Sequence, residues 1–179
     1  MTNRRRAARP ALRDKGVADS PLRSLDKMMD RVHLTRRYMF SASHRLHHPG
    51  LREEENRTLY GKCNNPGGHG HNYFLEVTVE GPVEPRTGMV INLAALDDYV
   101  QTRVLDCFQE SSLNELPNFQ EQVPTTENVC VEIYEILQEG WHGLGAAPGA
   151  ALEQVRLEET SSNFFEYRGG APNGIESSS

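Results

Sequence analysis

The sequence predicts an α+β domain, an antiparallel sheet with two helices packed on one face. Three observations carry this. Residues 72–81 alternate, with Tyr73, Leu75, Val77 and Val79 on one side. Two later stretches repeat apolar residues at helical spacing, one over Leu93 to Phe108 and one from the Thr125-Thr126 cap to Gly140. Strand-like and helical stretches also fall in separate runs, which argues against a parallel sheet of alternating units.

Each element has its own signal. Arg37 to His44 reads as a strand with rough alternation, closed by the turn His47-His48-Pro49-Gly50. Arg52 to Arg57 is charged and Pro-free, a short helical excursion or a loop. The second strand covers Asn72 to Gly81. A turn-rich connection through Pro82, Pro85 and Gly88 leads to a short strand, Met89-Val90-Ile91. Asn92 is a good N-cap, and Leu93, Leu96, Val100, Val104 and Cys107 form the first helical stripe. Residues 109–124, with Pro117 and Pro124, are a loop. In the second helix Val129, Ile133, Ile136 and Leu137 form the stripe and Gly140 the stop. Gly143 to Ala150 is small and flexible. Glu153 to Thr160 and Phe164 to Arg168 pair as a hairpin around Ser161-Ser162-Asn163. Such a sheet leaves edges and one face open, and oligomerisation is the simplest protection.

Bulk properties narrow the function. A chain of 179 residues is one domain by prior, long enough to bury a core. A net charge of −6 opposes non-specific nucleic-acid binding by the whole molecule. Three irregularly spaced cysteines make no disulfide framework and fit a reducing compartment. There is neither a membrane-length apolar run nor a secretory signal, so the expected setting is soluble and cytoplasmic. Residues 1–34 differ from the rest: Arg4, Arg5, Arg6, Arg9, Arg13 and Lys15 make a basic, flexible arm. Asp14, Asp19, Asp26 and Asp30 oppose a transit peptide. A short helix over Ser24 to Val32 is conceivable. The folded domain spans 35–169, and the tail from 170 to 179 reads as disordered.

The chemistry concentrates in Cys63-Asn64-Asn65-Pro66-Gly67-Gly68-His69-Gly70-His71. His-x-His at a strand entrance puts two imidazoles on one face. A catalytic zinc site commonly has three protein ligands and an open position. His44, at the end of the first strand, is the best third ligand. Three imidazoles, with no carboxylate or thiolate to spare, favour zinc. Cys63 follows Lys62 among polar, Gly-rich neighbours and could act as base, nucleophile or fourth ligand. Cys107 and Cys130 read as small buried hydrophobes on helix faces. Glu159 ends a strand, and Thr125-Thr126-Glu127 reads as a helix cap.

These residues carry a resemblance. Phe40-Ser41-Ala42-Ser43-His44-Arg45-Leu46, Gly61-Lys62-Cys63-Asn64-Asn65-Pro66, Gly68-His69-Gly70-His71-Asn72-Tyr73, Thr87-Gly88-Met89-Val90 and Thr125-Thr126-Glu127-Asn128-Val129 resemble the 6-pyruvoyl-tetrahydropterin synthase family over about residues 36–169. The spacing between Cys63 and His69 is more like this enzyme than like its relative 6-carboxytetrahydropterin synthase. The resemblance implies a tunnelling fold, with a four-stranded antiparallel sheet and two helices on one face. Trimers would close an oligomeric barrel, and two would stack as a homohexamer with active sites between subunits. It implies a lyase that eliminates triphosphate from 7,8-dihydroneopterin triphosphate. His44, His69 and His71 would hold Zn2+, and Cys63 would be the general base. Glu159 would anchor the pterin, and Thr125, Thr126 and Glu127 would lie along its pocket. Arg45, Lys62 or the basic arm are the cations at hand for the triphosphate.

One departure stands out. The family normally carries Asp-His just after the first helix, where it assists the cysteine. Counting forward from Asn92 and back from Leu113-Asn114-Glu115 both place Gln109-Glu110 there. Ionised Glu110 would raise a thiol pKa rather than lower it, though it could itself be an acid or base. Three readings follow. The chain is the same synthase run differently, or it forms a 6-carboxy or aldolase-type product, or it is a non-catalytic pterin-binding oligomer.

Overall fold

The computed structural model describes residues 31–141 and 144–170. The arm reading of residues 1–30 and the tail reading of residues 171–179 lie outside these. Among the described residues five strands form one sheet: β1 (Arg31–His44), β2 (His69–Pro82), β3 (Ser111–Ser112), β4 (Ala151–Thr160) and β5 (Asn163–Tyr167), in spatial order β3-β1-β2-β4-β5. β1, β2, β4 and β5 are the expected antiparallel set. β3 is an addition within the expected 109–124 loop, running parallel to β1 at Ala42 and Ser43.

Alternation sets the sheet's two faces. Tyr73, Leu75, Val77 and Val79 of β2 are wholly buried, as are Phe40 of β1 and Val155 and Leu157 of β4. Burying side chains of this size stabilises a fold by roughly 1.5–3 kcal/mol each. β1 starts at Arg31, six residues before the expected strand and four before the expected start of the domain, because it matches the full length of β2. Arg31 pairs with Pro82 in register and its side chain bonds Glu80. The Ser24 to Val32 helix lies largely outside the described residues, and its last two members, Arg31 and Val32, are strand.

Among the described residues three α-helices accompany the sheet: α1 (Glu53–Tyr60), α2 beginning at Leu93–Val100, and α3 (Thr126–Glu139). The excursion at Arg52 is therefore helical, with Arg52 and Glu55 closing a capping box. α2 continues through a π-helical turn (Gln101–Leu105) into a last α turn (Asp106–Phe108). That wider turn shifts the stripe. Leu96, Val100, Val104 and Phe108 are buried while Cys107 is exposed, which corrects its reading as a buried residue. Cys130 is buried as expected, and burial pushes its thiol up to about 12. Asn92 caps α2 by accepting from the amides of Ala94 and Ala95, and Thr125 caps α3 by accepting from that of Asn128.

Met89-Val90-Ile91 is not a strand. Its carbonyls instead close loops: Met89 O accepts from the Glu84 amide, and Val90 O from the Ala147 amide. The latter contact ties down a segment expected to be flexible. No described helix is long and apolar enough to cross a membrane.

Candidate metal and active site

β1 and β2 meet at one end through the register pair His44–His69, with Ala42 opposite His71. Period-two alternation then points His44, His69 and His71 to the helix-covered face, continuing the column of Tyr73 and Leu75. Gly68, at φ 65°, makes the turn into β2; a Cβ there would lie 3.0 Å from the His44 carbonyl oxygen. One ring nitrogen from each histidine lies within 4.8 Å of the others, so the cluster can hold a metal ion.

Local chemistry fits that use. His44 Nδ1 lies 2.8 Å from the carbonyl oxygen of Pro124 and donates to it, which leaves Nε2 as a lone-pair donor facing the cluster. His44 Nε2 and His69 Nε2 are 3.2 Å apart. Two imidazole nitrogens on a tetrahedral zinc stand roughly 3.3 Å apart, given bonds of about 2.0–2.1 Å. His71 Nε2 is buried with no hydrogen-bond partner, an orphan that a metal would satisfy. Burial lowers the pKa of His44, against the Pro124 contact, and lowers that of His69 with help from His71. Both shifts favour the neutral, ligating imidazole.

Glu159 corrects the expectation that no carboxylate is to spare. Its Oε1 lies 3.7 Å from both His44 Nε2 and His71 Nε2. Thr126 Oγ1 donates to Oε1 at 2.5 Å, and Asn163 Nδ2 donates to Oε2 at 2.8 Å. Burial pushes this carboxyl's pKa up, but the Thr126 and Asn163 hydrogen bonds and the neighbouring histidines outweigh it. The net shift is downward, so Glu159 stays ionised. A register shift between Glu158 and Thr160 leaves Glu159 without a partner on β5.

Cys63 sits half-buried in a 3-10 turn (Gly61–Asn64). The Leu46 amide donates to its carbonyl at 2.8 Å, holding the turn beside the end of β1. Its sulfur is not part of the three-histidine cluster. Arg45 is also committed elsewhere. Its Nε donates to the Asn64 carbonyl and its Nη2 lies 3.2 Å from His47 Nδ1.

Other expected site residues separate. Thr126 is buried and on the site. Thr125 uses its hydroxyl as the α3 cap, and Glu127 is exposed in the first turn. Gln109 Oε1 accepts from the Ser41 amide, and the Glu110 amide donates to the Ser41 carbonyl. The pair therefore clips onto β1. Glu110 has φ 57°, strained for a non-glycine residue. A cavity of about 320 Å³ is lined by Ser41, Ser43, His71, Asn72, Glu110 and Ser111. It joins Glu110 to one candidate ligand but not to Cys63. Asn163 and Pro124 were missed as functional neighbours. Asn163 read only as a turn residue, and a backbone carbonyl leaves no side-chain signal.

Comparison with known proteins agrees with this geometry. A family model described as 6-pyruvoyl tetrahydropterin synthase matches residues 33–170. The human 6-pyruvoyl tetrahydrobiopterin synthase is 44% identical over 137 residues, covering 76% of this chain and 90% of the relative. The solved Caenorhabditis elegans 6-pyruvoyl tetrahydropterin synthase is 39% identical with a TM-score of 0.73, covering 80% of this chain and 99% of that one. A putative 6-carboxy-5,6,7,8-tetrahydropterin synthase from Archaeoglobus fulgidus is 32% identical, covering 72% of this chain and 89% of the relative.

Proposed function

We propose that this chain, which belongs to the 6-pyruvoyl tetrahydropterin synthase family, is a zinc-dependent lyase. It would convert 7,8-dihydroneopterin triphosphate to 6-pyruvoyl-tetrahydropterin with release of triphosphate. The observation that carries this is the adjacency of three inward-facing imidazoles to an ionised Glu159 held by Thr126 and Asn163.

His44, His69 and His71 would hold the metal. Zinc, when bound, supplies Lewis acidity that makes protons near the substrate's side-chain hydroxyls easier to remove. Glu159 accepts from the pterin's ring N–H and amino groups, using the lone pairs that Thr126 and Asn163 leave free. Thr125, Thr126 and Glu127 border that pocket, Thr126 by aiming the carboxylate. Cys63 takes the proton from the side chain. The electron pair left behind drives out triphosphate, and the redox change stays within the substrate. No external oxidant or reductant enters. Gln109 positions β1 through Ser41, and Glu110 serves as a second acid or base across the shared cavity.

A homohexamer of two stacked trimers in the cytoplasm is part of the same reading. Among the described residues, β1 has a partner beyond β2 only at Ala42 and Ser43, and β5 ends the other side of the sheet. Joining these two edges between copies would close a barrel.

Zinc-loaded protein should turn 7,8-dihydroneopterin triphosphate into triphosphate and a product with the mass of 6-pyruvoyl-tetrahydropterin. A 6-carboxy or 6-hydroxymethyl product would select the sister activities instead. Gln109-Glu110 favours a second reading, a pterin-binding oligomer without turnover. Under it the wild type binds pterin but releases no triphosphate, and replacing the pair by Asp-His creates activity. Turnover by the wild type that Cys63→Ala abolishes would eliminate it.

A further inference from the structure

The turn that carries Cys63 has a second side. Against it lies a separate cavity of about 180 Å³, lined by Arg57 of α1 and by Gly61, Lys62, Asn64, Asn65 and Pro66 of the turn, with Glu53 also on its wall. Lys62 and Asn64 are the sequence neighbours of Cys63, so the cavity abuts the backbone that presents the thiol. Arg57 and Lys62 are both exposed, and among the described residues neither takes part in an ion pair. The other arginines beside the Cys63 turn are committed: Arg45 to the turn and Arg52 to Glu55. Two cations left over on one small concavity form a site for an anion.

We infer that this cavity takes the polyphosphate tail of the substrate and is the exit position of the leaving group. This rests on the reading of the chain as a triphosphate-eliminating enzyme. The order of parts supports it. Glu159 on β4 marks the pterin end, and the histidines of β1 and β2 lie next to it. The Cys63 turn packs beyond the end of β1, on Leu46. A substrate held at Glu159 with its side-chain hydroxyls at the histidines would reach toward the Cys63 turn, whose flanking residues Lys62 and Asn64 line the cavity together with Arg57. The same charges would stabilise the polyanion as its bond to carbon breaks. Glu53 sets the opposite sign. It precedes Arg57 by one helical turn and weakens the positive field at the mouth.

Inorganic tripolyphosphate is the probe, with binding to the full-length zinc-loaded protein read by calorimetry. Wild type should bind it, more weakly as salt is added. Arg57→Glu should weaken binding about tenfold or more, and Glu53→Gln should tighten it. Arg86→Glu carries the same charge change on the distant β2–α2 connection and should have little effect. Arg57→Glu should also raise KM for the triphosphate substrate while leaving the affinity for unphosphorylated 7,8-dihydroneopterin unchanged. Absence of tripolyphosphate binding, equal losses in Arg57→Glu and Arg86→Glu, or no gain in Glu53→Gln would overturn the assignment. The two readings fail distinguishably. Turnover with Arg57-independent tripolyphosphate binding removes the subsite alone, whereas Arg57-dependent binding without turnover keeps the polyphosphate site and removes the synthase reading together with the exit role.

Discussion

The two faces of the sheet are written by the same strands yet behave oppositely. Along β2, one set of alternate residues runs His69, His71, Tyr73, Leu75, Val77 and Val79, and the other runs Gly70, Asn72, Phe74, Glu76, Thr78 and Glu80. The first set is a packed core that becomes polar only at its end, where three imidazoles and Glu159 meet. Among the described residues the second face carries no helix, and it is laced with charge. Arg156 lies 3.2 Å from Glu76, and Arg37 and Arg156 stand over the rings of Phe74 and Phe164. The difference is one of dielectric. Polar groups on the covered face have few partners available, so each contact there matters. Charges on the open face exchange protein partners for water at little cost.

That contrast can be broken by mutation. The largest effects belong to the polar end of the covered face. His44→Ala should reduce bound metal to background in elemental analysis and remove turnover. Cys63→Ala should keep the metal and lose about 10²–10⁴-fold in kcat, the range for a general base. Metal loss in Cys63→Ala would return the thiol to the ligand set.

Next comes the apolar column. Leu75→Ala should cost about 2–5 kcal/mol in denaturant unfolding, as core truncations do. Thr126→Val keeps shape but removes the donor to Glu159, a charged hydrogen bond worth about 1.5–3 kcal/mol. The expected readout is weaker pterin binding, by about tenfold or more, with metal content intact.

The open face should give the smallest effects. Arg156→Gln should change stability by less than about 1 kcal/mol, and less again in high salt. A larger loss would mean that this face is covered in the assembly. The outlying Asp97 tests the pH sign. Hydrogen bonds from Arg36 hold its carboxyl below the usual range, with burial opposing and Tyr38 assisting. Its stabilisation is therefore complete above the unfolded value of about 3.9 and is lost as pH falls through the lower folded value. Asp97→Asn should flatten the acid limb of thermal stability by lowering the neutral value, while the value below the folded pKa, where the carboxyl is protonated in both states, stays nearly the same.

Much of this was legible beforehand. Alternation in β2 and the stripe of α3 announced sheet and helix because period alone dictates which side chains share a face. His-x-His declared two ligands for the same reason, and His44 followed from its place at a strand end. Cys107 was misread because a π-helical turn changes the period partway along α2, and nothing in the residue types there announces one. Met89-Val90-Ile91 has strand composition, but its carbonyls found loop amides before any strand.

By itself the sequence determined the α+β class, the two faces of β2, the three histidines and the family to which they belong. Only the tertiary structure decided who stands beside them. It brought Glu159 against the imidazoles, assigned Thr126 and Asn163 to its oxygens, and aimed the Pro124 carbonyl at His44. It also committed Arg45 to the turn and left Arg57 free among the described residues. The physical reason is range. Periodicity is a local property of the chain, whereas all of these contacts but Asn163–Glu159, four positions apart across the hairpin turn, join residues far apart in sequence, and their partners are set by packing and by which hydrogen bonds remain open once the core has formed.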